Sequence, residues 1–389
     1  MKRIFEDTAT AFSVKSDTAL ERAYFLFKLI SKEPLVKIGT AVTNFALKAN
    51  LPVERLIRAT VFDHFCGGVN ECDCEPVMDA MYEKNVFSVL DYSVEGQSNE
   101  AYFDQVQQKI ESLITFATTK KQIPFVVFKP TALGRISLYE KVGLGATLSG
   151  QEKQDWSMVK TRFRSICLAA HNHNIPLLID GEESWMQDAA DQLVCEMMQE
   201  FNKDKVLIYN TLQAYRWDRL SYIKGLYEYA TLHDFKIGIK VVRGAYMEKE
   251  RVRAEEKGYK SPICANKNAT DENFNTIVGF MLSHIDRIAV FLGTHNEEST
   301  YLLMDTMEKN GIQKNDSRIW FGQLYGMSDH ISYNLAANNY NVSKYLPFGP
   351  VKDVMPYLMR RAEENTSVAG QTNRELDLLA AERKRRKIQ

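Results

Sequence analysis

Polar residues able to do chemistry recur at the downstream ends of short apolar runs. Phe125–Phe128 is followed by Lys129-Pro130-Thr131, Pro176–Ile179 by Asp180-Gly181-Glu182-Glu183, and Val206–Asn210 by Leu212-Gln213-Ala214-Tyr215. Ile237–Val242 carries Lys240 and leads into Arg243-Gly244-Ala245-Tyr246, and Ile288–Leu292 leads to Thr294-His295-Asn296. Ile319–Gln323 ends in Gln323-Leu324, Val342–Leu346 carries Tyr345, and a helical segment after it holds Tyr357, Arg360, Arg361 and Glu364. Among these groups Lys129, Lys240, Arg243, Arg360 and Arg361 outnumber the acids Asp180, Glu182 and Glu364. With Tyr246, Leu324, Tyr345 and Tyr357 beside them, the set suits a small anionic ligand with an apolar body, because guanidinium forks grip carboxylates in bidentate fashion. Adjacent helix residues diverge by ~100°, so Arg360 and Arg361 do not share one face. The structural alternative is that one of them pairs with Glu364 to stabilise the helix.

Groups so placed need a frame whose strands all point one way. Eight apolar, β-branched runs qualify, the seven above and Ser88–Ser93, and segments with helical patterning such as Met158–His171 and Trp185–Phe201 separate them. Alternating strand and helix implies parallel strands, and eight units predict an α/β fold of the (β/α)8 TIM-like type, with catalytic groups at the C-terminal strand ends. A doubly wound open sheet would carry a glycine fingerprint after its first strand; Asp91-Tyr92-Ser93-Val94-Glu95-Gly96 does not. Upstream, Leu20, Ala23, Tyr24 and Phe27 recur at helical spacing, as do residues of Leu35–Leu47, until Phe65-Cys66-Gly67-Gly68 breaks the pattern. The reading is an N-terminal helical arm over 1–85, a barrel over 86–367 and a basic tail over 368–389. The run Arg383-Lys384-Arg385-Arg386-Lys387 reads as a solvated helix end or as a contact for a membrane surface or partner.

Other chemistries lack their residues. Gly143-x-Gly145-x-x-Leu148 misses the third glycine of a dinucleotide loop, and neither a Gly-x-x-x-x-Gly-Lys loop nor a His-Glu-x-x-His helix occurs. His171-x-His173 precedes the third strand, at the wrong end for a barrel site, so no metal is expected. A lyase using Lys129 or Lys240 as a Schiff base is a possible chemistry of such a barrel. Lys and Arg total 49 against 50 Asp and Glu, which argues against a nucleic-acid coat protein. Cys66, Cys72 and Cys74 show no metal or redox spacing and read as reduced thiols. No run approaches the ~20 apolar residues of a membrane span. No signal peptide is apparent, and the expectation is a cytoplasmic protein, with peripheral contact at the inner membrane face left open.

Taken together and in order, Lys240-Val-Val-Arg243-Gly-Ala-Tyr246, Gly293-Thr-His295-Asn296, Gly322-Gln-Leu-Tyr-Gly-Met327, Tyr345-Leu-Pro-Phe-Gly-Pro350 and Tyr357-Leu-Met-Arg360-Arg361-Ala-Glu-Glu364-Asn365 resemble the blocks of proline dehydrogenase. The resemblance spans about 86–367 and implies a distorted (β/α)8 barrel that holds FAD without a Rossmann domain. It implies oxidation of L-proline to Δ1-pyrroline-5-carboxylate, with electrons passed to a membrane quinone, as the first step of proline catabolism. The chain ends soon after the last barrel helix, so the single-function form is expected. Carried over by position, Lys129, Arg360 and Arg361 hold the proline carboxylate, and Tyr246, Leu324, Tyr345 and Tyr357 enclose the ring. Lys240 sits near the flavin N5 edge, where some relatives have Arg; the Lys-x-x-Arg-Gly-Ala-Tyr form is similar to the eukaryote-like branch. Gln213, Val242, Arg243, Gly244, Ala245, Thr294, His295, Asn296, Gln323 and Glu364 face the cofactor, and Asp180 orients Lys129 or a neighbouring Tyr. Hydroxyproline is the competing substrate; the branch that prefers it has a smaller residue at the position of Tyr345.

Overall fold

A computed structural model of the chain describes residues 3–32, 57–93, 99–367 and 369–388, without the side chains of 59 and 362–371. The helical pattern expected over Leu35–Leu47 and the Val94-Glu95-Gly96 turn lie outside the described residues. Eight parallel strands close in sequence order as a barrel: β1 (Val86–Tyr92), β2 (Phe125–Phe128), β3 (Leu177–Ile179), β4 (Ile208–Gln213), β5 (Ile237–Val242), β6 (Ile288–Gly293), β7 (Ile319–Leu324) and β8 (Val342–Phe348). The expected (β/α)8 fold is the observed one. β1 and β8 pair in register from Val86↔Val342 to Tyr92↔Phe348, and β4 and β5 from Tyr209↔Gly238 to Gln213↔Val242.

β4 lies further along the chain than the apolar run Val206–Asn210 suggests, so Gln213 is its last residue rather than a group beyond it. The strand tolerates Asn210 and Thr211 because both are satisfied when buried. Asn210 Nδ2 donates to Asp191 at 2.9 Å, and Thr211 Oγ1 donates to the Ile179 carbonyl at 2.6 Å. Between β2 and β3, the helix Gly150–His173 starts on a capping box formed by Ser149 and Glu152 and stops at Asn174 in the left-handed region (φ 56°).

Two compact units divide the chain: Met1–Gly96 with Gly322–Gln389, and Gln97–Phe321. In the second, Phe125 of β2 meets the rings of Tyr209, Phe291 and Trp320 edge-on, with centroids 5.1–5.6 Å apart. In the first, the segment read as a basic tail is a helix, Ala369–Arg386. Its Leu378 and Leu379 pack with Phe12, Leu20, Ala23 and Phe27 from the N-terminal residues, so the terminal segments share one core. The arginines are engaged there too. Arg383 donates to Glu21 and lies over the Tyr24 ring at 4.3 Å. Arg386 reaches Asp17 at 3.0 Å and the Phe12 carbonyl at 2.8 Å, and with Arg385 it holds the buried Glu382. The basic run is a docked helix end.

Candidate active site

In the unit Gln97–Phe321, the ends of β2, β3 and β5 bring three charges together. Lys240 Nζ donates to Asp180 Oδ1, and Lys129 Nζ lies 3.8 Å from the other carboxylate oxygen. Lys240 is buried, while Lys129 and Asp180 stay partly open. One carboxylate thus stands between two ammonium groups at the strand ends.

Behind this triad sits Glu182, buried and pinned to the β2 end. The Thr131 backbone N–H donates to Oε2 at 2.9 Å and its hydroxyl to Oε1 at 2.7 Å. The Glu182 N–H donates to Gln187, and its carbonyl accepts Gln213 Nε2 at 2.6 Å. Burial pushes the Glu182 carboxyl up to about 7, against the pull of the two Thr131 bonds. The ends of β2, β3 and β4 are thereby tied through one residue, Glu182, by its carboxylate to Thr131 and its carbonyl to Gln213.

At the end of β5, Arg243 is held by Asp271 (2.7 Å), Thr294 Oγ1 (2.9 Å) and Ser299 Oγ (3.0 Å), and it stacks 4.4 Å above the Phe274 ring. Thr294 Oγ1 also accepts the Asn296 N–H, and the Asn296 side chain caps the helix Glu297–Lys309 through the Ser299 N–H. Three residues expected to face a cofactor thus join one another and fix the β6 end; His295 is half-buried between two of them. Val242 is half-buried, and Gly244 and Ala245 are exposed. Gly244 has φ 127°, and a Cβ there would come within 2.6 Å of the Tyr215 ring, so the turn requires glycine. Tyr246 follows, half-buried, at the start of the helix Met247–Lys257.

In the other unit, Gln323 on β7 is buried and accepts from Ser332 Oγ at 2.8 Å. Leu324 is half-buried at the strand end, and Tyr345 on β8 is buried, its carbonyl accepting the Tyr325 N–H at 2.8 Å. Tyr357 is buried on the helix Val351–Ser367, in a cluster with Leu26, Ile30, Phe62 and Phe65. Arg361 lies 5.4 Å from the Tyr357 ring, one turn before it on the same helix face, and Arg360 is half-buried beside it. The Glu364 side chain lies outside the described residues.

The sequence offers no signal for Asp271 and Ser299, an acidic and a small residue without a motif that only contacts reveal, and Thr131, named at the end of the second apolar run, has no task there. Glu182 is likewise named at a strand end without a task. His171 and His173 are exposed, and no group of metal-holding side chains occurs among the described residues. Among those residues no helix is long and apolar enough to cross a membrane.

A closed barrel of eight parallel strands with charged side chains gathered at the strand ends is the frame of the barrel enzymes. The proline dehydrogenase family model matches residues 74–374, and the chain belongs to that family of oxidoreductases. It is 36% identical to the carbapenem antibiotics biosynthesis protein CarD of Pectobacterium carotovorum subsp. carotovorum, over 83% of this chain and 84% of that protein. It is 31% identical to mitochondrial proline dehydrogenase 2 of Arabidopsis thaliana, over 98% and 90% respectively. A hydroxyproline dehydrogenase of Xenopus laevis is 28% identical over 96% of this chain and 88% of its own length. The fold matches a crystal structure of proline utilization A from Bdellovibrio bacteriovorus with a TM-score of 0.72 at 21% identity; it covers 95% of this chain and 39% of that longer one.

Proposed function

We propose that the protein oxidises L-proline to Δ1-pyrroline-5-carboxylate with FAD as its cofactor and a membrane quinone as the final electron acceptor. The observation that carries this reading is the family match across the whole barrel, 74–374. The residues suit the cofactor: the glycine turn at Gly244 presents small, exposed backbone, and the buried Tyr215 hydroxyl beneath it has no hydrogen-bond partner among the described residues. Lys240, Arg243, His295 and Gln213 supply cationic and polar donors of the kind that phosphates and flavin carbonyls accept. Val242, Gly244, Ala245, Thr294, Asn296, Gln323 and Glu364 complete the proposed cofactor-facing set.

The chemistry that FAD would supply when bound is acceptance of the hydride from C5 of proline. The chain's part is to bind and orient. Lys129, Arg360 and Arg361 take the carboxylate, which fixes the far end of the ring and so the position of C5. Asp180 holds Lys129 and Lys240 in place, and Tyr246, Leu324, Tyr345 and Tyr357 exclude water from the ring. Contact with a membrane surface would use Lys384 and Lys387, which are exposed, because the arginines beside them are engaged within the fold.

Hydroxyproline is the second reading, favoured by the similarity to the Xenopus enzyme; Tyr345 speaks for proline, since a ring hydroxyl would project against it. A Schiff-base lysine needs an unpaired amine, and Lys240, although buried, is paired with Asp180. The test is turnover of the purified, FAD-supplemented protein with L-proline and a soluble quinone analogue, the product being trapped as a coloured adduct of its imine. Turnover with trapped product supports the reading; no turnover with proline but turnover with hydroxyproline replaces it.

A further inference from the structure

Behind the strand ends of the unit Met1–Gly96 with Gly322–Gln389 lies a buried group of charges that the proposed reaction does not use. Lys344 is on β8, one residue before Tyr345, and its side chain is fully buried. Successive strand residues point to opposite faces, so Lys344 takes the side away from Tyr345. Its ammonium lies 2.7 Å from Asp329 Oδ1 and donates to the Met327 carbonyl at 2.7 Å and the Leu324 carbonyl at 3.4 Å. The second oxygen of Asp329 is 3.0 Å from Lys15, near the N-terminus.

The loop so held, 324–328, is fixed at nearly every residue. Tyr325 donates its N–H to the Tyr345 carbonyl at 2.8 Å. Gly326 adopts φ 79°, where a Cβ would meet the His64 carbonyl at 2.3 Å, and its own carbonyl is 3.0 Å from His64 Nε2. Ser328, at φ 51°, donates its N–H to the buried Glu375 of the C-terminal helix. Burying the Lys344 ammonium and the Asp329 carboxylate, with the partly open Lys15 beside them, costs several kcal/mol per buried ion, and apolar side chains would stabilise such a space as well or better. What the ions add is geometry: an ammonium that bonds two carbonyls and a carboxylate admits one loop conformation.

We propose that Lys344 is a positioning residue for the substrate, setting from behind the place of Leu324 and, through the Tyr325–Tyr345 bond, of Tyr345, with Asp329 and Lys15 completing the support. This rests on the reading that Leu324 and Tyr345 enclose the proline ring. Segments near both termini thereby determine the shape of the substrate wall.

The test compares wild type, Lys344→Met and Lys15→Met as FAD-loaded full-length proteins. It measures flavin content, thermal midpoint, KM and kcat for L-proline, and the ratio of kcat/KM for proline to that for hydroxyproline. Lys344→Met is expected to raise KM for proline about tenfold and to lower the substrate ratio by a similar factor, with kcat changed less. Lys15→Met, which leaves Lys344 on Asp329, is expected to move both in the same direction by roughly threefold. A folded, flavin-loaded Lys344→Met protein that keeps wild-type KM and ratio, losing only thermal stability, overturns the inference. If that variant does not fold, an unchanged KM and ratio in Lys15→Met overturns it. Failure of the wild type to oxidise proline would overturn the proposed function and this inference with it, whereas an active wild type with unchanged variants overturns the inference alone.

Discussion

Lys240 of β5 and Asp180 at the end of β3 are bonded directly across β4, although 60 residues separate them in sequence. Lys129 approaches the same carboxylate from β2, so Asp180 determines the direction of two ammonium groups at once. An aspartate in this position does not merely neutralise charge. It keeps two cations close together whose mutual repulsion would otherwise part them.

Asp180→Asn should therefore act mainly on substrate binding. A hydrogen bond to a charged group is worth ~1.5–3 kcal/mol, so the expected loss in kcat/KM for proline is roughly 10- to 100-fold, carried mostly by KM. Lys129→Met should give a rise in KM of similar size. Steady-state kinetics check both, and an unchanged KM in the two variants would remove the triad from the substrate site.

Glu182 supplies a pH signature. Its carboxyl is raised from an ordinary 4.5 to about 7 by burial. Between those values the unfolded chain releases a proton that the folded chain retains. The stability this group lends is full below pH 4.5 and is lost as pH rises towards 7, with a slope of up to about 1.4 kcal/mol per pH unit. Glu182→Gln should flatten that part of the stability curve, as measured by denaturant unfolding at pH 5, 6 and 7. A slope identical to wild type would show that Glu182 does not titrate in this range.

Gly244→Ala tests the turn after β5. The substitution places a methyl group 2.6 Å from the Tyr215 ring at φ 127°, and a strained backbone of this kind costs on the order of 1–3 kcal/mol. Lower thermal stability together with reduced flavin content is expected. Full flavin content with only a lowered melting point would separate the turn from the cofactor.

These positions also show where sequence stops being informative. The eight strands were legible because each is a compact apolar run set apart by helical patterning, and Lys129, Asp180 and Lys240 were legible because they abut or interrupt such runs. β4 misled at its end: Asn210 and Thr211 look like the close of a strand, and only their buried partners Asp191 and Ile179 explain why it continues. Arg383 to Lys387 looked solvated because composition is local, whereas Glu21, the partner of Arg383, lies 362 residues away. Lys344 stood in plain view inside an apolar strand, yet nothing in the spacing points to Asp329 and Lys15 as its company.

Substrate choice should turn on Tyr345, buried on β8. Tyr345→Ser opens room where a ring hydroxyl would project, so the preference for proline over hydroxyproline in kcat/KM should fall by about tenfold or more. Relative rates on the two substrates decide it, and an unchanged ratio would mean that Tyr345 does not face the ring.

The most direct test of the whole account is an anaerobic titration of the purified protein with L-proline, followed through its visible spectrum. Flavin absorption bands that bleach as proline is added and return when a quinone analogue is supplied are the expected result. A protein that is colourless and fails to take up added FAD, or one whose flavin bands do not respond to proline, would contradict it.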